Sequence, residues 1–165
     1  MKSIYVDLKS SALRSVDGVL YDYDMQPLLT FPARRKGDVY RIPHEVTGIA
    51  GYAFYGCQGL KSLILPDSMT KISPNAFARF TGLESIRLSE TLTSLGSDAF
   101  YGCSRLKIIV IPASLKEVNG LEYCGIERIY LPEGVEAIGN NAFSDCEKLE
   151  EIILPKSVNE IKSLS

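Results

Sequence analysis

The chain has 165 residues, of which 45% are hydrophobic and 23% are charged, and its formal net charge at pH 7 is -2. A chain of this length can bury a continuous core and is typical of one soluble globular domain. The balanced charge argues against nucleic acid or an anionic membrane as a partner, because either needs a basic stripe that neutralises phosphate. No stretch approaches the roughly 18 apolar residues that would span a bilayer, so membrane insertion is not expected.

Residues 1–36 are predicted to form an irregular leading region. Residues 3–6 have the alternation of a short strand, and residues 17–33 are predicted to form a β-hairpin with a polar turn at residues 22–26. Two interpretations of the hairpin stay open. It covers the N-terminal edge of the units that follow, as stacked repeats require for solubility, or it is an internal hairpin from the middle of a longer array.

A repeat of 23 residues occupies the rest of the chain. The pentapeptide AFYGC occurs at residues 53–57 and again, 46 residues later, at 99–103, with AFARF midway at 76–80. Such self-similarity indicates stacked repeat units. The predicted units are residues 37–59, 60–82, 83–105, 106–125 and 126–148, followed by an incomplete unit at 149–165. The fourth unit is three residues short, and its Ala-Phe pair is interpreted as Glu122-Tyr123.

Each unit contains the same order of predicted elements. It opens on L-x-x-L-x-L, as at residues 60–65, whose alternation predicts a short strand with one buried face. A second apolar pair follows, as at Met69 and Ile72, and residues 73–77 are predicted to form a helical turn with a serine cap and an early proline. No unit can bury its apolar side alone, so we expect the units to stack into a solenoid.

The repeat pattern resembles that of a known family. Its L-x-x-L-x-L core is that of leucine-rich repeats, and the unit L-x-x-I-x-L-P-x-x-V-x-x-I-x-x-x-A-F-x-x-C over residues 37–165 is similar to the BspA-like subfamily of bacterial surface proteins. The asparagine ladder of other leucine-rich repeats is absent, as expected for this subfamily. The residues in its place are Ser68, Thr91, Ser114, Gly134 and Ser157.

The resemblance implies a fold and a role. The implied fold class is α/β: a right-handed leucine-rich-repeat solenoid of short parallel strands and short helical turns, with an N-terminal β-hairpin insertion, in one domain over residues 1–165. The implied location is the cell surface or the secreted state, although residues 1–15 contain no apolar stretch long enough for a signal peptide. The implied partners are host extracellular-matrix proteins such as fibronectin and fibrinogen.

No reactive constellation is predicted, so we expect neither an enzyme nor a protein that binds a metal or cofactor. The single histidine, His44, follows Pro43 at a position that varies in charge and size between units, which indicates an exposed turn. A zinc site needs close ligand pairs such as C-x-x-C, and the sequence contains none.

The four cysteines are interpreted as structural residues. Cys57, Cys103 and Cys146 share one position of the unit, where the second unit has Phe80, and a position that accepts Cys or Phe is apolar. Cys124 is interpreted as offset by the three-residue deletion. A disulfide from Cys124 to Cys103 or Cys146 therefore stays open beside the interpretation in which all four thiols are reduced.

The outward positions of the predicted strands form the candidate binding face. If the aliphatic residues of L-x-x-L-x-L face the core, the residues between them face solvent. The candidate partner-binding residues are Arg41, Ile64, Arg87, Val110, Tyr130, Ile153, Ile108 and Arg128. Exposed apolar residues rimmed by arginine are typical of a protein contact, although the strand propensity of β-branched residues explains the same pattern.

Two functions fit this chain. The first is a non-enzymatic cell-surface binding or adhesion module whose strand-lined face engages a host protein or glycan. The second is a structural spacer or scaffold segment of a larger surface protein. The incomplete last unit would leave Leu154 and Ile161 at a bare edge, which predicts either a piece cut from a longer array or self-association through that edge.

Overall fold

The structure is a computed structural model that describes residues 1–163. This part of the chain has fifteen short strands and no helix. The N-terminal strands are β1 (Leu13–Val16), β2 (Val19–Asp22) and β3 (Pro27–Thr30). The strands of three residues are β4 (Val39–Arg41), β6 (Ser62–Ile64), β8 (Ser85–Arg87), β10 (Ile108–Val110), β12 (Arg128–Tyr130) and β14 (Glu151–Ile153). The strands of two residues are β5 (Gly48–Ile49), β7 (Lys71–Ile72), β9 (Ser94–Leu95), β11 (Glu117–Val118), β13 (Ala137–Ile138) and β15 (Glu160–Ile161).

The strands of three residues line one side of a solenoid, which we call the strand face. β4, β6, β8 and β10 form a parallel sheet, and β12 pairs with β14 in a second parallel sheet. Equivalent residues lie opposite each other, so that Tyr40 pairs with Leu63 and Leu63 with Ile86. These middle residues are buried, and because side chains alternate along a strand, their two neighbours point outward.

The strands of two residues line the opposite side, which we call the rear face. β3, β5, β7 and β9 are joined in parallel, and β11, β13 and β15 form a separate parallel sheet. At the N-terminal end, β2 and β3 form the antiparallel hairpin that the sequence predicts within residues 17–33. The predicted strand at residues 3–6 is wrong: these residues pair with no strand of the described chain, and the amide of Ile4 donates instead to the carbonyl of Gly18 in the turn between β1 and β2, at 2.8 Å.

The Ala-Phe turns form the third side of the solenoid, which we call the turn side, and they are not helical. Asn75 and Arg79 have φ values of 58° and 55°, a left-handed conformation that interrupts a right-handed helix. Between them, the amide of Phe77 donates across to the carbonyl of Ala99 in the next unit, at 2.8 Å. The predicted helical turns and the α/β class are therefore wrong. The fold is a β-solenoid, because alternate amides of each turn bond to the next unit instead of continuing a helix.

One continuous core fills the solenoid, and a column of rings runs through it. Phe31, Phe54, Phe77 and Phe100 follow one another with centroid separations of 5.0, 5.3 and 4.8 Å. Each ring comes from a different turn, so the column ties consecutive units together. The fully buried Phe77 lies in the middle of it.

Hydroxyl groups form a ladder at the position of the missing asparagines. Each hydroxyl donates to a carbonyl of the preceding unit. These bonds join Ser68 to Val46, Thr91 to Met69, Ser114 to Leu92 and Ser157 to Val135, at 2.8, 3.0, 2.7 and 2.6 Å. The ladder satisfies half-buried carbonyls that the short strands leave without a partner.

The three-residue deletion interrupts the strand ladders but not the turn ladder. Pairing stops between β9 and β11 and between β10 and β12. On the turn side the amide of Phe100 still donates to the carbonyl of Gly120, at 2.7 Å. The pair that replaces Ala-Phe is therefore Gly120-Leu121, and the interpretation as Glu122-Tyr123 is wrong. Leu121 is fully buried as the ring equivalent, whereas Tyr123 is 47% exposed.

Candidate partner-binding face

The strand face presents all eight predicted residues to solvent. Arg41, Ile64, Arg87, Val110, Tyr130 and Ile153 follow the middle residues of their strands, and Ile108 and Arg128 precede them. Ile108 and Tyr130 are 61% and 63% exposed, and the least exposed apolar member, Ile64, is 36% exposed. Six strands spaced about 4.8 Å apart give a face roughly 24 Å long. The structure brings these residues together on one surface, and their role in binding stays a prediction.

Two serines open a groove in the strand face. Ser62 and Ser85 occupy the outward position at which the flanking strands carry Val39 and Ile108. Their short side chains leave an open groove of about 670 Å³, with Ile64 and Ile108 among its walls. The groove can receive an apolar side chain from a partner. Ser62 and Ser85 lie opposite each other in neighbouring strands. The sequence shows that they are neighbours only when the 23-residue units are aligned.

Ion pairs lie among the exposed apolar residues of the face, because Arg87 stands between Ile64 and Val110 in the register. Arg87 Nη2 lies 2.8 Å from Glu90 Oε1, and Arg128 Nε lies 3.8 Å from Glu151 Oε2. Both pairs are exposed, so each contributes roughly 0.2–1 kcal/mol to stability. The arginines are therefore largely free to exchange these partners for acidic groups on a bound protein, because breaking the present pairs costs little.

The four cysteines are free and buried. The Cys124 thiol donates to the carbonyl of Phe100 at 3.2 Å, as the Cys103 thiol does to that of Phe77 at 3.2 Å. Cys124 therefore continues the cysteine column, and its interpretation as offset is wrong, because the deleted residues fall on both sides of the turn. Burial raises the pKa of Cys57 to about 12. A thiol that stays protonated at neutral pH is a poor nucleophile.

Glu122 is a buried acid that the sequence analysis did not single out. It stands where other units have Tyr55 or Tyr101, yet it is only 8% exposed. Within residues 1–163, its Oε2 atom has no hydrogen-bond partner. Burial raises the pKa of the carboxyl, and the negative charge of Asp98 raises the pKa further, while a bond to its own backbone lowers it. The ionised form is therefore disfavoured in the folded state.

Replacing Glu122 with Gln is expected to raise the melting temperature at pH 7 and to leave it nearly unchanged at pH 4. The pKa of Glu122 in the folded state lies above its unfolded value of about 4.3, so proton binding favours the folded state. This stabilising contribution is fully present below the unfolded pKa. That contribution is lost as pH rises through the folded pKa. Glutamine keeps the shape without a charge to desolvate, and each kcal/mol relieved raises the melting temperature by about 2–4 °C.

Thermal unfolding followed by circular dichroism at both pH values measures this effect. Glu127→Gln is the matched control, because the Glu127 side chain is 56% exposed. It is expected to change the melting temperature little at either pH. A gain for Glu122→Gln that is as large at pH 4 as at pH 7 would contradict the assignment.

The described part of the chain shows no metal site, and its histidine lies on the surface. Within residues 1–163, no three His, Cys, Asp or Glu side chains gather in a way that could hold a metal ion. The His44 side chain is 91% exposed, as the turn position predicts, and its Nδ1 lies 3.4 Å from Glu45 Oε2. No helix long and apolar enough to cross a membrane occurs in the same residues.

The turn side carries aromatic residues that the sequence analysis did not pair. The rings of Tyr52 and Tyr55 lie 5.9 Å apart, and those of Tyr101 and Tyr123 lie 5.0 Å apart. Three of these rings are at least 46% exposed. The 23-residue alignment could have shown that they share one side, but the second pair depends on the register of the shortened unit.

Comparison with known proteins identifies the repeat. The sequence pattern described as BspA type leucine rich repeat region matches residues 38–122 and 119–165, in six copies. No curated protein matches the chain.

Solved structures share the fold over nearly the whole chain. A leucine-rich repeat protein from Eubacterium ventriosum is 26% identical, with a TM-score of 0.89, over 94% of this chain and 43% of that one. The pneumococcal vaccine antigen PcpA is 23% identical, with a TM-score of 0.67, over 94% of this chain and 50% of that one. A leucine rich cell surface protein from Faecalibacterium prausnitzii is 24% identical, with a TM-score of 0.61, over 99% and 42%.

The present chain thus spans half or less of the length of these three structures. Because the repeat pattern matches from residue 38 to residue 165, it covers far more than half of the chain. The β-solenoid, the Ala-Phe turns and the hydroxyl ladder are the structural form of that pattern. The chain belongs to the BspA-type leucine-rich repeat family.

Proposed function

We propose that the protein is a non-enzymatic binding module whose strand face engages another protein at the bacterial cell surface. The observation that carries the proposal is the apolar centre of that face. Ile64 on β6, Ile108 and Val110 on β10 and Tyr130 on β12 are all exposed on this face, where a solvated sheet surface is normally polar. Arg87 on β8 stands between Ile64 and Val110. Exposed apolar side chains interspersed with arginine have the composition of a protein interface.

The chemistry of the face favours a protein over a glycan. Tyr130 is the one aromatic residue among its twelve outward positions, all of which lie in the described part of the chain. The remaining apolar positions are aliphatic. Aliphatic side chains gain binding energy by excluding water from other apolar groups, and burying one fully contributes about 1.5–3 kcal/mol.

The strand face alone is too small for a stable protein interface. A stable interface buries about 800 Å² on each partner. A face roughly 24 Å long and three residues wide is smaller than that, so the partner must also contact the loops that follow the strands. Asp67 and Glu90 lie in such loops beside the groove. Binding is therefore expected to involve both the apolar centre and a charged rim.

The location is part of the proposal. The Faecalibacterium structure is that of a cell surface protein, and PcpA is a vaccine antigen. A surface location of the present chain would expose the strand face to host proteins. Attachment to extracellular-matrix proteins, which the family resemblance implies, is the specific form of the proposal that can be tested first.

Replacing Ile64, Val110 and Tyr130 together with Ser is expected to abolish binding. The purified chain and the variant are compared by biolayer interferometry against immobilised fibronectin, fibrinogen and mucin. Removing three apolar anchors should weaken binding at least about 100-fold, because interface energy is concentrated in a few such residues. The three side chains are exposed, so folding should be retained and is checked by circular dichroism.

A second triple variant controls for the loss of exposed apolar surface. Tyr52, Tyr55 and Tyr123 on the turn side are 62%, 46% and 47% exposed, and replacing them with Ser should leave binding intact. Binding that survives the strand-face variant would reject the strand face as the site. Binding to mucin alone would favour a glycan partner over a protein. If neither the chain nor its variants bind any of these probes, the spacer alternative is favoured.

A further inference from the structure

Three ladders of hydrogen bonds stop inside the shortened unit or at its border. On the strand face β8 pairs with β10, but β10 and β12 belong to different sheets. On the rear face the break falls one unit earlier, because β9 and β11 belong to different sheets while β11 pairs with β13. The hydroxyl ladder stops at the same border as the strand face, since Gly134 stands where the neighbouring units have Ser114 and Ser157.

These breaks divide the solenoid into two blocks. The N-terminal block contains β1 to β10, and the C-terminal block contains β11 to β15. Residues 111–116 connect the blocks and are held to both of them. The Ser114 hydroxyl donates to the carbonyl of Leu92 in the N-terminal block at 2.7 Å, and the Lys116 ammonium donates to the carbonyl of Gly134 in the C-terminal block at 3.3 Å.

On the turn side, backbone bonds cross from one block to the other without a gap. The amide of Phe100 donates to the carbonyl of Gly120 at 2.7 Å, and the amide of Leu121 donates to the carbonyl of Ala142 at 3.2 Å. A bend about this side keeps these bonds while the strand face and the rear face open or close. The turn side is therefore the pivot that the bonding pattern favours.

Opening the strand face breaks fewer bonds at this border than between the preceding units. Between β6 and β8, residues 62–64 pair with residues 85–87, and that ladder would have to break. Between β10 and β12, no backbone bond within residues 1–163 has to break. The Lys107 and Glu127 side chains lie 3.9 Å apart across the border and are exposed, so their attraction is weak. The continuous core keeps the blocks together, so they can bend but not separate.

We propose that the two blocks bend against each other about the turn side, which changes the width of the strand face between Val110 and Tyr130. Hinge motions of this kind occur in microseconds to milliseconds. Val110 ends β10 and Tyr130 ends β12, so the border runs through the exposed apolar residues of the face. A partner that contacts both blocks would select one angle. The bending itself does not depend on the proposed function.

Spin labels on two sides of the solenoid measure the bending. One variant carries Arg41→Cys and Tyr130→Cys on the strand face, and the other carries Tyr55→Cys and Ser144→Cys on the turn side. The members of each pair lie four units apart, roughly 19 Å at the strand spacing of about 4.8 Å. The four natural thiols are buried, so labelling under native conditions is expected only at the introduced cysteines.

Double electron–electron resonance should give a distance distribution at least about twice as wide for the strand-face pair as for the turn-side pair, because the turn side is the pivot. The natural chain without introduced cysteines measures any background labelling. Equal widths for the two pairs would overturn the proposal.

A chain with a completed fourth unit is the matched control. Replacing residues 119–126 with a copy of residues 96–106 puts eleven residues in place of eight and gives the fourth unit the turn of the third. This change should restore the missing strand pairs and narrow the strand-face distribution to the width of the turn-side distribution. A strand-face distribution that stays as wide in the completed chain, with folding checked by circular dichroism, would overturn the assignment of the bend to the shortened unit. If the completed chain does not fold, the comparison of the two pairs in the natural chain decides.

Discussion

Phe77→Ala is expected to lower the free energy of unfolding by about 3–5 kcal/mol. The ring is fully buried, and its centroid lies 5.3 Å from that of Phe54 and 4.8 Å from that of Phe100. Its removal leaves a cavity between units that the backbone ladder prevents from collapsing. Because each unit of a solenoid contacts only its neighbours, one cavity weakens both interfaces of the second unit.

Urea unfolding followed by circular dichroism measures the loss. Ile108→Ala is the control, since it removes an apolar side chain from a site that is 61% exposed and should change stability by less than about 0.5 kcal/mol. A Phe77→Ala loss below about 1 kcal/mol would contradict the role of the ring column as the tie between units.

Gly120→Ala is expected to lower the free energy of unfolding by about 2–5 kcal/mol, even though alanine occupies this turn position in the other complete units. Gly120 has a φ of 75°, and an added Cβ would lie 2.8 Å from the amide nitrogen of Ala99 and 2.9 Å from the carbonyl oxygen of Gly96. The left-handed conformation costs an alanine about 1–2 kcal/mol, and overpacking against a fixed backbone costs about 1–3 kcal/mol more.

Gly56→Ala separates these two costs. Gly56 has a φ of 65°, but no atom lies within 4 Å of the position of an added Cβ. Its substitution should therefore cost only the conformational share, about 1–2 kcal/mol. Equal losses for the two variants in the same unfolding measurement would show that the close approach at Gly120 is relieved by a small shift of the chain.

Regular repetition is the reason that most of the architecture could be predicted. Leu83, Ile86 and Leu88 belong to one predicted L-x-x-L-x-L copy, and they are 0%, 3% and 1% exposed. The six strands of the face occur where the alternation places them, and so the eight candidate residues could be named as outward-facing. A period of 23 residues repeats one packing environment many times, which averages out the ambiguity of any single short segment.

The turns could not be predicted in the same way. Ser73 and Pro74 before Ala76-Phe77 are ordinary signals of a helix start, and they led to the wrong helical turn. The helical preference of this segment is overridden because the amide of Phe77 donates to a carbonyl of the next unit. The acceptor, the carbonyl of Ala99, lies 22 residues further along the chain, so a prediction from five consecutive residues does not include it.

The sequence by itself determined the period, the buried columns, the outward columns and the membership of the cysteines Cys57, Cys103 and Cys146 in one column. Tertiary structure alone decided how the shortened unit fits. On the turn side the amide of Phe100 donates to the carbonyl of Gly120, and the amide of Leu121 donates to the carbonyl of Ala142, at 2.7 and 3.2 Å. Because a buried amide without an acceptor is costly, the continuous turn ladder selected Gly120-Leu121 as the Ala-Phe equivalent and brought Cys124 into the column. The strand ladders are interrupted at this unit instead, between β9 and β11 and between β10 and β12.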